Sequence, residues 1–273
     1  MMKRNIFFIL LFIPILIFAD FSSINYGAKS MAMGNASAAM ANGCSAVFIN
    51  PAGMGKSNKI SITLSHQNVF GVSGLYNESA AFSMPLPLSR IGIGYNEVVL
   101  LKEYYEQTFN LSASSIVRIK NILLYFGISG KIYHSWVNYS DASSPTKFDM
   151  DFGLLSQIAK SFSVGFTAKN LIQPEVSFIE YYDKIKAEYT LGMLYNWSNI
   201  LNLTADYQFD KNRFNIGTEL WFFDVFAPRI GLDGEYFTAG FGIKTKKWEI
   251  DTAVLSHDEL GSNYQISMTI NFK

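Results

Sequence analysis

The residues best suited to chemistry in this sequence are three histidines and a set of acidic side chains. His257 stands beside Asp258 and Glu259, whereas His66 and His134 are isolated. Acid–base or nucleophilic catalysis needs a nucleophile or an activated water within hydrogen-bond reach of the base. The sequence contains no Gly-x-Ser-x-Gly elbow, HExxH zinc helix, P-loop or dinucleotide-binding glycine pattern. We therefore do not expect an enzyme, and nothing calls for a cofactor or a metal ion.

The acidic side chains belong to segments in which polar and apolar residues alternate. In RFNIGTEL, Arg213 and Glu219 share one face, opposite Phe214 and Ile216. Such alternation is typical of strands with two chemically different faces. It gives the following candidates for side chains that face the interior of a barrel: Asp149, Asp151, Asp206, Arg213, Glu219, Glu249 and Asp251.

These candidates permit two interpretations. The acids either line a polar channel, or they pair with Lys169, Arg213 and Lys244 inside a filled interior. The chain carries 22 basic and 22 acidic residues, so its net charge is zero, which favours the filled interior. The same balance gives no reason to expect a nucleic-acid partner.

The alternating segments must be strands, and their length separates two fold classes. They are about 9 to 11 residues long, which suits a tilted strand that crosses a bilayer, whereas strands of soluble sandwiches average about 5 or 6 residues. About fourteen segments occur, near residues 59–67, 77–84, 89–98, 104–118, 121–134, 146–157, 161–172, 184–196, 199–210, 213–223, 226–233, 235–244, 246–256 and 262–272. The sequence therefore predicts an all-β, transmembrane antiparallel β-barrel of about 14 strands.

Composition supports a membrane location. The chain is 49% hydrophobic and 15% aromatic, with only 16% charged residues, where soluble domains have about 25% charged residues. This difference indicates a second apolar surface in contact with lipid. The single cysteine, Cys44, excludes an intrachain disulfide.

The N-terminus predicts export. Lys3 and Arg4 precede an apolar run from Ile6 to Phe18, which is shorter than the roughly 20 residues of a membrane-spanning helix. This pattern is typical of a signal peptide, residues 1–19, with cleavage after Ala19. We therefore expect the protein in the outer membrane, with the barrel in residues 58–273.

The connections predict the orientation of the barrel. In the first half they alternate between long and short, and the stretch around EVVLLKEYY counts among the long ones. Short turns are periplasmic in outer-membrane barrels, which places both termini in the periplasm. The last external loops are short, so one wall should be lower than the other. Aromatic residues near strand ends are candidates for interface girdles, or in part for a hydrophobic landing site: Tyr104, Tyr105, Trp136, Tyr139, Phe178, Tyr181, Tyr182, Trp197 and Trp221.

The last strand, Tyr264 to Phe272, alternates strictly and ends in an aromatic residue followed by Lys273. It resembles the C-terminal signal by which barrel proteins are recognised for insertion. We therefore expect the barrel-assembly machinery and outer-membrane lipid among the partners.

Residues 20–57 do not alternate and are rich in small side chains, so they do not form a membrane strand. Asn50 and Pro51 force an extended or turn conformation before the first strand. Together with Ala52 and Gly53, they are candidates for a hinge of a plug segment, although a rigid turn that starts the first strand is the simpler interpretation.

The stretch GAKSMAMGNASAAMANGCSAVFINPAGMG resembles the N-terminal signature of the PorV/PorQ family, which is related to the FadL-type transporters of hydrophobic compounds. It departs from that family at Asn42, Gly43 and Cys44, where acidic residues are usual. The resemblance extends through MDFGLL, GFTAKNL and RIGLDGEYFTAGFGIK to the closing strand.

This resemblance implies a fourteen-stranded barrel with a small, helical N-terminal hatch in its lumen. Two functions follow from it. The first is passage of hydrophobic small molecules across the outer membrane through a hatch-gated lumen. The second is a non-conducting outer-membrane partner or shuttle of a protein secretion system, whose ligand is a secreted protein.

Overall fold

The computed structural model describes residues 27–120, 122–138, 144–177, 182–257 and 259–272. Outside the described residues lie the predicted signal peptide, Asp258 and three of the predicted aromatic residues, Tyr139, Phe178 and Tyr181. Of Tyr182 only the backbone is described. In the described part, fourteen antiparallel strands form a closed barrel. The predicted fold class is therefore confirmed.

The strands of the barrel coincide with the fourteen predicted segments. They are β1 (Ile60–Asn68), β2 (Leu75–Pro85), β3 (Arg90–Leu100), β4 (Tyr104–Ile119), β5 (Ile122–Val137), β6 (Thr146–Ala159), β7 (Phe162–Lys169), β10 (Glu188–Trp197), β11 (Leu201–Gln208), β12 (Arg213–Leu220), β13 (Phe226–Asp233), β14 (Tyr236–Lys244), β15 (Trp248–His257) and β16 (Gly261–Phe272). Two short strands, β8 (Glu175–Ser177) and β9 (Tyr182–Lys184), form a separate hairpin between β7 and β10.

Each barrel strand pairs with its neighbours in the sequence, and the last strand closes the barrel on the first. β16 pairs with β1 from Ile60 opposite Phe272 to Asn68 opposite Tyr264. Closure leaves no strand edge with unpaired backbone groups. Such an edge would be very unfavourable in a bilayer, because no water is present there to bond to these groups. Ile60 and Phe272 lie at the end with the short turns, which we call the periplasmic end, because outer-membrane barrels place short turns there.

The barrel wall is not of even height. β4 and β5 have 16 residues each, whereas β11, β12 and β13 have 8 each, so one wall is lower than the other, as expected from the short last loops. The length of about 9 to 11 residues does not hold for these five strands. The stretch around EVVLLKEYY is also not a long loop. β3 ends at Leu100 and β4 begins at Tyr104, because the two strands keep pairing up to these residues.

The barrel wall has apolar side chains on its outer face and polar side chains on its inner face, the reverse of the arrangement in a soluble protein. Outward side chains are apolar and exposed, such as Leu111 and Phe214 at 67% each. Inward positions carry buried polar side chains, including Ser129 and Asn215. This distribution fits a barrel with lipid outside and a filled lumen inside. Trp197 is exposed at the end of β10, as the predicted girdle requires, but Trp221 is buried and does not belong to it.

The described residues before β1 form short helices rather than strands. These are α1 (Ala28–Ala32), α2 (Ala46–Ile49) and a 3₁₀ helix (Pro51–Lys56). No helix among the described residues is long and apolar enough to span a membrane. We call residues 27–57 the hatch, because its side chains form buried clusters with interior residues of the wall such as Ala81 and Leu255.

Candidate functional site

The contact between the hatch and the inner wall is the candidate site. The hatch approaches the wall backbone directly, because several wall positions carry no side chain. A Cβ atom at Gly127 of β5 would collide with the backbone of Pro51 and Ala52, and one at Gly153 of β6 would collide with Asn50. The same contact recurs around the wall at Gly165, Gly192, Gly217 and Gly231. Close packing along this arc leaves no room for a solute between hatch and wall.

The predicted hinge lies in the middle of this contact. Asn50 is fully buried, and its Nδ2 donates to the carbonyl oxygens of Ala38 (2.8 Å) and Leu154 (3.3 Å). Its Oδ1 accepts from the N–H of Ala52 at 3.2 Å, which caps the 3₁₀ helix that Pro51 begins. The carbonyl oxygen of Ala52 accepts in turn from Ser114 of β4.

Gly53 completes this turn. A Cβ atom there would collide with the backbone of Ala41, so the turn also holds two parts of the hatch together. These contacts fasten the hatch to the wall, and they favour the interpretation of Asn50 and its neighbours as a rigid turn.

Three of the predicted acids meet in one buried ion network. Arg229 of β13, 1% exposed, donates from Nε to Glu219 at 2.7 Å and from Nη1 to Asp251 at 2.6 Å. Glu249 lies 3.5 Å from Nη2 of the same guanidinium. A guanidinium offers several donors in a fixed plane, which suits several carboxylates. The acids are therefore neutralised inside the barrel.

The hatch contributes the second cation of this network. The ammonium group of Lys29 in α1 lies 3.3 Å from Glu219 and 3.4 Å from Glu249. Burial alone would lower the pKa of Lys29, but the two carboxylates outweigh burial and raise it. Lys29 thus stays charged and links the hatch to β12 and β15.

Asp206 of β11 forms a second link. Its Oδ2 accepts from the backbone N–H groups of Ser37 (2.8 Å) and Ala38 (2.9 Å). Charge-assisted hydrogen bonds of this kind are about twice as strong as neutral ones. The hatch is thus held by wall carboxylates at two separate places.

The remaining predicted residues lie nearer the external end. Asp149 accepts from the N–H of Ile172, and Asp151 from that of Asn170, so both hold the loop after β7. Asp151 also pairs with Lys131 at 2.7 Å. Arg213 pairs with Asp233, and the ion pairs of Asp151 and Arg213 line the cavity on the external side of the hatch.

Of the three cations expected to pair with the acids, Arg213 pairs with Asp233, and the contacts of Lys169 and Lys244 include other groups. Lys169 donates to the carbonyl oxygen of Phe48 in the hatch, and the ammonium of Lys244 lies over the ring of Trp221. Lys29, Lys131 and Arg229 pair with the acids as well, and they are not among the cations named from the sequence. The alternation in FAPRIGLD placed Arg229 on the polar face of its strand, so this residue was identifiable.

Two cavities flank the hatch. The cavity towards the periplasmic end has a volume of about 570 Å³ and is lined by hydroxyl groups such as those of Ser61, Thr63 and Ser267. The cavity towards the external end measures about 230 Å³ and is lined by charged groups, including Lys131 and Glu188. Polar and charged groups dominate the lining of the external cavity, whereas the lining of the periplasmic cavity also has a large apolar part that includes Met40, Phe48 and Leu194; hatch residues line both.

The histidines do not form a catalytic arrangement in the described part of the chain. His66 points outward and contacts Glu78, and Nδ1 of His257 accepts from the N–H groups of Glu259 and Leu260. Among the described residues, no group of three or more histidine, cysteine or acidic side chains is placed to hold a metal ion.

Comparison with known proteins gives a family and a fold. The sequence model of the type IX secretion system membrane protein family PorP/SprF matches residues 43–273. This match does not confirm the PorV/PorQ assignment made from the N-terminal signature. No curated protein matches the chain.

Solved structures with the same fold include the CymD monoaromatic hydrocarbon channel, with a TM-score of 0.66 at 12% identity over 92% of this chain and 99% of that one. A Pseudomonas aeruginosa FadL homologue has a TM-score of 0.65 at 11% identity, over 93% and 100% of the two chains. The Ralstonia pickettii toluene transporter TbuX has a TM-score of 0.61 at 13% identity, over 91% and 99%. At these identities the likeness concerns the fold alone.

Proposed function

Because this chain belongs to the PorP/SprF family of type IX secretion system membrane proteins, we propose that it serves protein secretion as a plugged, non-conducting barrel of the outer membrane. In this role the barrel is a rigid docking platform, and its ligand is a secreted protein or another part of the secretion machinery. The lumen is not the route of transport.

The observation that carries this proposal is the way the hatch is seated. Wall glycines let it contact the backbone of β5, β6, β7, β10, β12 and β13. Displacing it would leave the buried carboxyl group of Asp206 without the N–H groups of Ser37 and Ala38, and Asn50 without the carbonyl oxygen of Leu154. Glu219 would lose Lys29 but keep Arg229. Each such group costs about 1–3 kcal/mol when left unsatisfied, more if charged, so opening would be very unfavourable.

Passage of hydrophobic molecules is the second candidate, supported by the fold that the chain shares with hydrocarbon channels. The lining of the external cavity disfavours it. A hydrophobic solute would meet charged groups and ion pairs above the hatch, and its transfer would require these groups to lose water without new partners.

A gene deletion in the native bacterium tests the two functions together. Proteins in the medium and in the periplasm are quantified by mass spectrometry, and uptake of labelled toluene is measured in the same cells. We expect secreted proteins to accumulate in the periplasm with unchanged toluene uptake, and re-expression of the full chain to reverse this. Reduced uptake with normal secretion would support the second function and overturn the first.

Purified protein gives an independent measurement. The full chain in planar bilayers should show no ion conductance, while heat-modifiable gel mobility confirms that the barrel is folded. Stable conductance steps from the folded full chain would contradict a plugged barrel.

A further inference from the structure

A rim cavity at the periplasmic end is separate from the hatch site. It measures about 520 Å³ and lies between the turn of residues 221–225 and the turn of residues 245–247, next to the start of β1. Lys59, Lys244 and Lys246 line it, together with Phe223 and Val225. Three lysines and two exposed apolar residues thus line one cavity at the edge of the barrel.

Contacts within the protein hold the ammonium groups of Lys59 and Lys244. The ammonium of Lys59 donates to the carbonyl oxygen of Lys246 at 3.4 Å, which joins the turn to the start of β1. The ammonium of Lys244 lies 3.4 Å from the ring centroid of Trp221, and the indole of Trp221 donates to Glu219 at 2.8 Å. Two of the three positive charges are therefore held by contacts beside this cavity.

The aromatic side of the cavity is held by an unusual backbone. Phe223 and Asp224 both have positive φ, 54° and 55°, a conformation that residues other than glycine rarely adopt. This turn leaves Phe223 95% exposed. Phe222 of the same turn lies 6.5 Å from Phe226, and Phe226 lies 5.9 Å from Phe241, between ring centroids, so an apolar strip runs from this turn along the outer wall.

Two carboxylates also border the cavity. Glu249 is compensated by Lys29 at 3.4 Å and by Arg229 at 3.5 Å. Asp224 is exposed on the turn and can accept a hydrogen bond from an ammonium group of a ligand.

We propose that this rim cavity binds the headgroup of a glycerophospholipid of the periplasmic leaflet, with ethanolamine as the favoured head. The lysines bind the phosphate as point charges, and Asp224 binds the ethanolamine ammonium. Phe223 and the strip formed by Phe226 and Phe241 contact the acyl chains, as aromatic residues do at membrane interfaces.

Native mass spectrometry of the full chain in mild detergent tests this site. Phosphatidylethanolamine is added, and the fraction of protein that retains one lipid is measured for the wild type, for Lys59→Gln with Lys246→Gln, and for Phe223→Ser. The two lysines are exposed, so the barrel should still fold, and heat-modifiable mobility checks this. We expect about a tenfold loss of lipid retention in the lysine variant and a clear loss in Phe223→Ser.

The matched control is Lys120→Gln with Lys160→Gln, which removes the same charge from the same rim near a cavity without aromatic lining. It should retain lipid like the wild type, and equal loss in both double variants would overturn the site. Asp224→Asn should lower retention of phosphatidylethanolamine but not of phosphatidylglycerol, and an equal effect on both would overturn the ethanolamine preference. If inorganic phosphate displaces the lipid and Phe223→Ser has no effect, the site binds free phosphate, and the lipid proposal is wrong.

Discussion

Asn50 of the hatch lies directly against Gly153 of the barrel wall, and its Oδ1 occupies the space that a Cβ atom at position 153 would need. The side chain of Asn50 cannot move aside easily, because it also bonds to Ala38, Leu154 and Ala52. The absence of one side chain on β6 thus lets the plug and the wall fit together.

Gly153→Ala should therefore loosen the plug. We expect a loss of about 1–3 kcal/mol in the free energy of unfolding, as for other overpacked interiors, measured by urea unfolding of the folded barrel in detergent micelles. Gly130→Ala is the control, because its new Cβ atom would lie 3.5 Å from the ring of Phe148 on the outer face, an ordinary contact. Equal stability of both variants would contradict the tight seating of the hatch.

Arg229→Met should be far more damaging than loss of an exposed arginine. It would leave the buried carboxylates of Glu219 and Asp251 without their main partner, and breaking a buried ion network in this way costs about 3–5 kcal/mol. Arg118→Met, at an exposed position of β4, should change the free energy of unfolding little. Adding Glu219→Gln and Asp251→Asn to Arg229→Met should restore part of the stability, and no recovery would show that charge imbalance is not the cause.

Asp206→Asn should weaken the attachment of the hatch without emptying any space. An amide is a poorer acceptor than a carboxylate, so the N–H groups of Ser37 and Ala38 should exchange with deuterium about tenfold faster, given that a tenfold change corresponds to about 1.4 kcal/mol. Hydrogen–deuterium exchange with mass spectrometry measures this directly. Asp210→Asn, at an exposed external turn, is the control and should leave the exchange of residues 37 and 38 unchanged.

Lys56 of the hatch should make stability depend on pH. Burial, with a smaller contribution from repulsion by Lys29, lowers the pKa of Lys56 from 10.5 to about 8. Between these values the unfolded chain binds more protons than the folded chain, so stability should rise with pH from about 8 to 10.5, by up to about 1 kcal/mol per pH unit. Below pH 8 both states are protonated and this contribution is constant.

Urea unfolding of the wild type and of Lys56→Met at several pH values isolates this effect. The free energy of unfolding of the wild type, relative to that of Lys56→Met, should be constant below pH 8. Above pH 8 it should increase as the pH rises. A constant difference from pH 7 to 10 would show that Lys56 keeps its ordinary pKa.

The sequence alone determined the barrel and the positions of its strands. Alternation with period two is a local property, and it must follow the boundary between lipid and lumen along every strand. For the same reason it placed Asp206, Glu219 and Asp251 on polar faces. It also indicated, through small residues and the Asn50–Pro51 turn, that the segment before β1 is not a membrane strand.

Only the tertiary structure decided how these residues are paired. Lys29 meets Glu219 and Glu249 although about two hundred positions separate them in the chain, and no local pattern encodes such a contact. The stretch around EVVLLKEYY, expected as a long loop, pairs across β3 and β4 up to Leu100 opposite Tyr104, because contacts between the two strands extend them. The fit of the hatch against wall glycines depends on how closely two backbones approach, which is fixed by the closed barrel as a whole.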